Sequence, residues 1–192
     1  MLATLKAGGA FVPIEPSQPV PRLRGIITEL QPPVILTSTT YASLCSKSLA
    51  TDHTCDITTL PISNLWFQEL KFNPIAKSSS YTTIQATPLN TAYAIFTSGS
   101  TGIPKAVLLR HEAVVSSSSA YGNALGFGST SRVLNFSANV FDAVIAEVIT
   151  TLIFGGCVCV PSDFDRLNQL ELAMRRMKGS TSLVLEKNYS QY

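Results

Sequence analysis

The chain has 192 residues, 45% of them hydrophobic and 14% charged, with a formal net charge of +2. That is long enough for one domain with a real core, and the balance excludes a disordered, solvating chain, which needs few apolar residues and many charges. Lys and Arg are scattered without a basic stripe, so nucleic acid is not an implied partner.

Met1 to Lys6 reads as the last turns of a helix, with Gly8-Gly9 as its stop. It has no basic leader and is not a signal peptide. Ala10 to Ile14 is a short apolar strand. Leu23, Ile26, Ile27 and Leu30 form one apolar helix face after Pro19 and Pro21, and Pro32-Pro33 ends that helix. Val34-Ile-Leu36 follows as a buried strand. Helix then strand with short links is the grammar of an α/β layer fold. Residues 37–90 are rich in Ser and Thr, with a weak helix predicted over Tyr41–Leu49 and a solvent-facing excursion near Lys77–Ser80.

Ala92 to Phe96 and Ala106 to Leu109 read as two short strands. Glu112 to Leu125 follows as a helix, although Ser116–Ser119 is poor helix material. Val133 to Phe136 is another strand. Ala143 to Val160 is apolar over a span-like 18 residues. Glu147 and the Gly155-Gly156 break divide it into a buried helix, with Val144, Ile145, Val148, Ile149 and Leu152 as its stripe, and a buried strand, so no membrane is implied. Leu167, Leu170, Met174 and Met177 form the apolar face of a last helix, with Arg175-Arg176 on a solvated face. Cys157 and Cys159 have the wrong spacing for a zinc knuckle and no His nearby. At strand spacing both thiols share a face, and cysteine's preferences predict buried, inert thiols. Glu147 is read as exposed or locally paired, and His111 as surface packing.

The stretch that carries chemistry is Thr97-Ser-Gly-Ser-Thr-Gly-Ile-Pro-Lys105, between the two short strands. Gly99 and Gly102 let backbone N–H groups turn toward an anion. Thr97, Ser98, Ser100 and Thr101 add hydroxyl donors, and Lys105 adds positive charge. The common P-loop has its lysine beside the last glycine and runs into a helix; here Lys105 lies three residues after Gly102 and leads into a strand. Composition alone leaves two readings, a phosphate cradle or a Ser/Gly-rich hairpin turn with no ligand. Asp142, at the mouth of an apolar helix, also has two: helix N-cap, or a carboxylate awaiting a cationic partner.

The 97–105 stretch resembles the signature loop of the adenylate-forming superfamily, although its usual Gly after the lysine is Ala106 here. Leu5-Lys-Ala-Gly-Gly-Ala-Phe-Val-Pro-Ile-Glu-Pro16 and Asn135-Phe-Ser-Ala-Asn-Val-Phe-Asp142 resemble the flanking blocks of amino-acid adenylation domains of nonribosomal peptide synthetases. The order and spacing of all three blocks agree. The resemblance implies an α/β fold, a truncated portion of the large N-terminal subdomain with layered sheets and helices. It implies that Thr97 to Gly102 and Lys105 handle ATP phosphates, that Asp142 pairs with the substrate's α-amino group, and that Ala143 and Ala146 line the side-chain pocket. Acyl-CoA ligases generally lack that aspartate, which argues against them.

The implied reaction is attack of an amino acid's carboxylate on the α-phosphate of ATP, then transfer to a pantetheine thiol. Implied cofactors are ATP, Mg²⁺ and phosphopantetheine on a separate carrier domain; implied partners are an amino-acid substrate and carrier and condensation domains, in the cytoplasm. Residues 1–178 are expected to be a partial domain, incomplete at both ends, and 179–192 a divergent tail. The family's adenine, ribose and magnesium-binding blocks and its mobile lysine have no counterpart here, so no catalytic or metal-ligating residue is assigned. A ligase fragment inactive alone is the expectation; a dead relic and a non-catalytic nucleotide-binding module are the alternatives.

Overall fold

The computed structural model describes residues 1–49, 57–66, 68, 86–98 and 104–177. The predicted excursion at Lys77–Ser80 and the tail 179–192 lie outside them. The chain divides into two compact units. Among the described residues, one takes 1–13, 86–95 and 107–177, and the other takes 14–49, 57–66, 68, 96–98 and 104–106.

In the second unit, helix α2 spans Val20–Leu30, the first helix of the chain, α1 (Leu2–Lys6), belonging to the other unit. Leu23, Ile26 and Ile27 are buried on one face, as the periodicity predicts. The helix stops where Gln31 turns left-handed at φ 43°, ahead of Pro32. Strand β1 (Val34–Ser38) pairs in parallel with β2 (Thr58–Ile62), Val34 opposite Thr58 and Ser38 opposite Ile62. The expectation of a buried strand at Val34–Leu36 is corrected: Val34 and Leu36 are 45% and 53% exposed. Alternate strand residues face opposite sides, and only the Ile35 and Thr37 side is half-buried. A 3₁₀ turn (Thr39–Tyr41) leads into α3 (Ala42–Leu49). Arg24 donates from Nη2 to the Lys47 carbonyl at 3.3 Å, tying α2 to α3.

The first unit opens with α1 (Leu2–Lys6), which ends near Gly8, whose φ of 76° a side chain would resist. The strand expected at Ala10–Ile14 shrinks to one parallel bridge, Phe11 with Tyr93. Pro13 has no N–H with which to continue such a ladder. The neighbouring strands β3 (Thr91–Ser98) and β4 (Pro104–Arg110) pair with each other. Helix α4 (His111–Leu125) forms through its serine run, with Ser118 and Gly122 buried. Tertiary burial outweighs the weak propensity there.

Strand β5 (Arg132–Leu134) pairs in parallel with β6 (Cys157–Cys159). Between them run α5 (Ala143–Ile145), a π-helical turn (Ala146–Thr150) and α6 (Thr151–Ile153) without interruption. Val144, Ile145 and Ile149 from this helix pack with Ala92 and Tyr93 of β3 as the core. The wider turn leaves Leu152, expected in the buried stripe, 41% exposed. Gly122 gives α4 room for the Phe154 ring, into which an added Cβ would run.

The single last helix is corrected to two, α7 (Asp163–Asn168) and α8 (Leu170–Arg176). The backbone leaves helical geometry at Gln169, with φ −139° and ψ 42°. Leu167 is consequently exposed, and Ala173 is the buried residue. Arg175 and Arg176 are exposed, as read from the sequence. The two thiols of β6 also part company: Cys159 is buried, which pushes its thiol pKa up, whereas Cys157 is exposed.

Candidate functional site: a carboxylate-lined cavity and the stem of the hydroxyl-rich loop

Of the hydroxyl-rich loop, the described part is its stem. Thr97 ends β3 with its side chain exposed, and its Oγ1 donates to the Lys105 carbonyl at 3.4 Å. Ser98 is the last residue of β3. Lys105, second in β4, is exposed and forms no ion pair among the described residues. Gly99, Ser100, Thr101 and Gly102 lie outside the described residues.

Asp142, Ala143 and Ala146 come together in the first unit, on the wall of one cavity of about 380 Å³. That lies at the lower end of the range for small-molecule sites. Asp142 precedes α5, and its carbonyl accepts the first helical N–H, from Ile145, at 2.9 Å. Its side chain caps nothing: the residue is already helical, at φ −62° and ψ −27°, and no cap hydrogen bond forms. A capping residue needs extended backbone to bring its oxygen over the first turn, so the cap role is excluded. The exposed carboxylate makes no hydrogen bond or ion pair among the described residues. The Tyr93 ring, stacked on Phe11 at 5.6 Å, lines the same cavity. Burial raises its phenol pKa, and the Asp142 charge adds to the rise.

Glu147 overturns the expectation of an exposed or locally paired residue. It is 4% exposed. Its carboxylate accepts from Asn135 Nδ2 at 2.9 Å, from the Ser137 N–H at 3.1 Å and from the Ser137 hydroxyl at 2.6 Å. These three donors satisfy the buried charge and fasten the segment leading from β5 toward Asp142 onto the helix that follows it. The Glu147 charge also adds to the burial-driven rise of the Tyr121 phenol pKa. Glu147, Tyr93, Tyr121 and Thr150 are among the lining residues that sequence reasoning missed. The available signal was a carboxylate on an apolar helical stripe with two polar residues, Asn135 and Ser137, ending an apolar strand.

Two carboxylates face this cavity, and no Lys, Arg or His lines it among the described residues. Its field therefore favours a cation. Glu147 is already committed, which leaves Asp142 as the carboxylate open to one. Among the described residues no group of three or more His, Cys, Asp or Glu is placed to hold a metal, and no described helix is long and apolar enough to cross a membrane.

Residues 1–182 match the AMP-binding enzyme family. The chain is 45% identical over 184 residues to nonribosomal peptide synthetase TES of Alternaria alternata, covering 96% of this chain and 3% of that protein. It is 36% identical over 184 residues to HC-toxin synthetase of Cochliobolus carbonum, with the same shares. The chain thus spans a few per cent of the length of these relatives. Among solved structures, the Vibrio cholerae adenylation domain AlmE in complex with glycyl-adenosine-5'-phosphate aligns with a TM-score of 0.71 at 18% identity, covering 97% of this chain and 39% of that one. IdnL7 aligns with a TM-score of 0.74 at 22% identity, covering 93% and 36%. These likenesses establish the fold, that of part of an adenylation domain, and with the match over residues 1–182 they identify the chain as a member of the AMP-binding enzyme family.

Proposed function

We propose that this chain is the part of an amino-acid-adenylating domain of nonribosomal peptide synthesis that grips the substrate's ammonium group and the phosphates of ATP. The observation that carries the reading is Asp142: an exposed carboxylate that makes no hydrogen bond among the described residues, on a cavity without cations among its described lining, flanked by the small side chains of Ala143 and Ala146. An α-ammonium group supplies the missing partner, and the two alanines leave room beside it. The first unit's cavity therefore holds the amino acid.

The phosphates belong to the stem of the other unit. Lys105 is exposed and unpaired among the described residues, which suits an anion. Thr97 and Lys105, with Ser98, Gly99, Ser100, Thr101 and Gly102, would hold ATP while its α-phosphate is attacked by the amino acid's carboxylate. Donors fixed before charge develops stabilise such a step. Mg²⁺ would neutralise part of the phosphate charge, and none of the described residues is assigned to it. The acyl group would leave for a phosphopantetheine thiol on a carrier domain, with a condensation domain as further partner. Residues 1–178 as partial domain, 179–192 as tail, and a cytoplasmic location belong to the same proposal. The chain alone is proposed to bind without turning over.

Calorimetric titration with an L-amino acid and with the carboxylic acid of the same side chain lacking the amine tests this. The reading predicts at least tenfold weaker binding of the amine-free acid. Equal binding would remove the α-amine role and leave a nucleotide-binding or acyl-handling module.

A further inference from the structure

The helical segment that begins at Asp142 also carries a hydroxyl with no partner among the described residues. Thr150, last residue of the π-helical turn, is fully buried and lines the same cavity. Among the described residues its Oγ1 has no hydrogen-bond partner. The adjacent Thr151 shows the ordinary solution, donating its hydroxyl to the Glu147 carbonyl one turn back. A buried hydroxyl without a partner is unfavourable and calls for an explanation.

Asp142, Ala146 and Thr150 are spaced four residues apart along this helix, and all three line the cavity. Around a 3.6-residue helix such a column drifts, and the wider π turn offsets the drift. At a rise of about 1.5 Å per residue, the first and last backbone positions stand about 12 Å apart. Ala146, between them, puts a methyl group where a larger side chain would close the passage. Apolar flanks come from Leu109, Val114 and Ile145, and an aromatic one from Tyr93.

Resting on the proposed amino-acid reading of this cavity, we infer that its substrate carries an elongated side chain ending in a neutral hydrogen-bonding group, which meets Thr150 Oγ1. A short side chain anchored at Asp142 stops near Ala146. A long apolar one reaches Thr150 and leaves its hydroxyl unpaired. A cationic end finds the Glu147 carboxylate already accepting from Asn135 and Ser137. Tyrosine has the required length, apolar body and terminal hydroxyl, and phenylalanine is the same shape without the hydroxyl. Sites that hydrogen-bond a substrate hydroxyl discriminate strongly against the analogue lacking it.

The test is ligand-observed NMR titration of the 192-residue chain with L-tyrosine and L-phenylalanine. The expected result is about tenfold tighter binding of tyrosine, lost in Thr150→Val, which keeps the shape, and kept in Thr150→Ser, which keeps the hydroxyl. Equal affinities for the two amino acids, with both still dependent on Asp142, would overturn the inference and leave the amino-acid reading intact. A tyrosine preference unchanged in Thr150→Val would remove Thr150 from the assignment. Binding of both amino acids that is indifferent to Asp142→Asn would overturn the underlying reading and this inference with it.

Discussion

The cavity wall holds two carboxylates five residues apart in sequence, Asp142 and Glu147, and the fold treats them in opposite ways. At the mouth of α5, Asp142 is exposed and makes no side-chain hydrogen bond among the described residues. Inside the π-helical turn, Glu147 is buried and accepts from three donors. A satisfied buried carboxylate holds structure together, because removing it strands every donor it served. An exposed carboxylate with nothing to do for the fold is free to serve a ligand. On the proposed reading, the pair separates the scaffold of the site from the carboxylate that meets the ligand.

The sharpest way to break this comparison is Glu147→Ala. It strands the Ser137 N–H, the Ser137 hydroxyl and the Asn135 amide, and the expected loss is about 3 kcal/mol of stability, read from urea unfolding. A loss under about 0.5 kcal/mol would make Glu147 an ordinary surface acid. Next comes Gly122→Val, which drives a side chain into the Phe154 ring and disturbs the α4 wall of the cavity. Overpacking of this kind costs about 2 kcal/mol, measured in the same way, and an unchanged midpoint would mean that the ring is loosely held.

The smallest effect is a pH dependence at the alkaline end. The Tyr93 and Tyr121 phenols are raised above their ordinary value of 10.0, first by burial and then by Asp142 and Glu147 respectively. Below pH 10 both folded and unfolded chains keep these protons, so nothing is lost. As pH rises through 10 and beyond, the unfolded chain releases them first and stability falls. Tyr121→Phe should flatten that fall, as read from urea midpoints between pH 9 and 11. An identical pH profile would remove Tyr121 from its cause.

Much of this region is legible in the sequence. Strands β3 and β4 and helix α4 follow from local periodicity, whereas the Asp142, Ala143 and Ala146 wall is what the resemblance of three motifs to amino-acid adenylation domains implies, and the three residues do line one cavity. Glu147 is not legible in that way. Its partners stand 10 and 12 residues upstream, and no helical or strand period links a carboxylate to donors at that distance. Likewise, the π turn defeats a 3.6-residue template, which places Leu152 in the buried stripe and gives Thr150 no role. Val34 and Leu36 read as core because an apolar run cannot reveal that one face of β1 lacks cover. The last helix fails for a backbone reason, the excursion at Gln169, which leaves Leu167 in solvent.

The most direct test of the account is ligand-observed NMR of L-tyrosine binding to Asp142→Asn, with urea unfolding of the same sample. The exposed carboxylate makes no hydrogen bond or ion pair among the described residues, so the unfolding midpoint should match the parent chain while affinity falls at least tenfold. Unchanged affinity at an unchanged midpoint would contradict the claim that Asp142 is the carboxylate kept for the ligand.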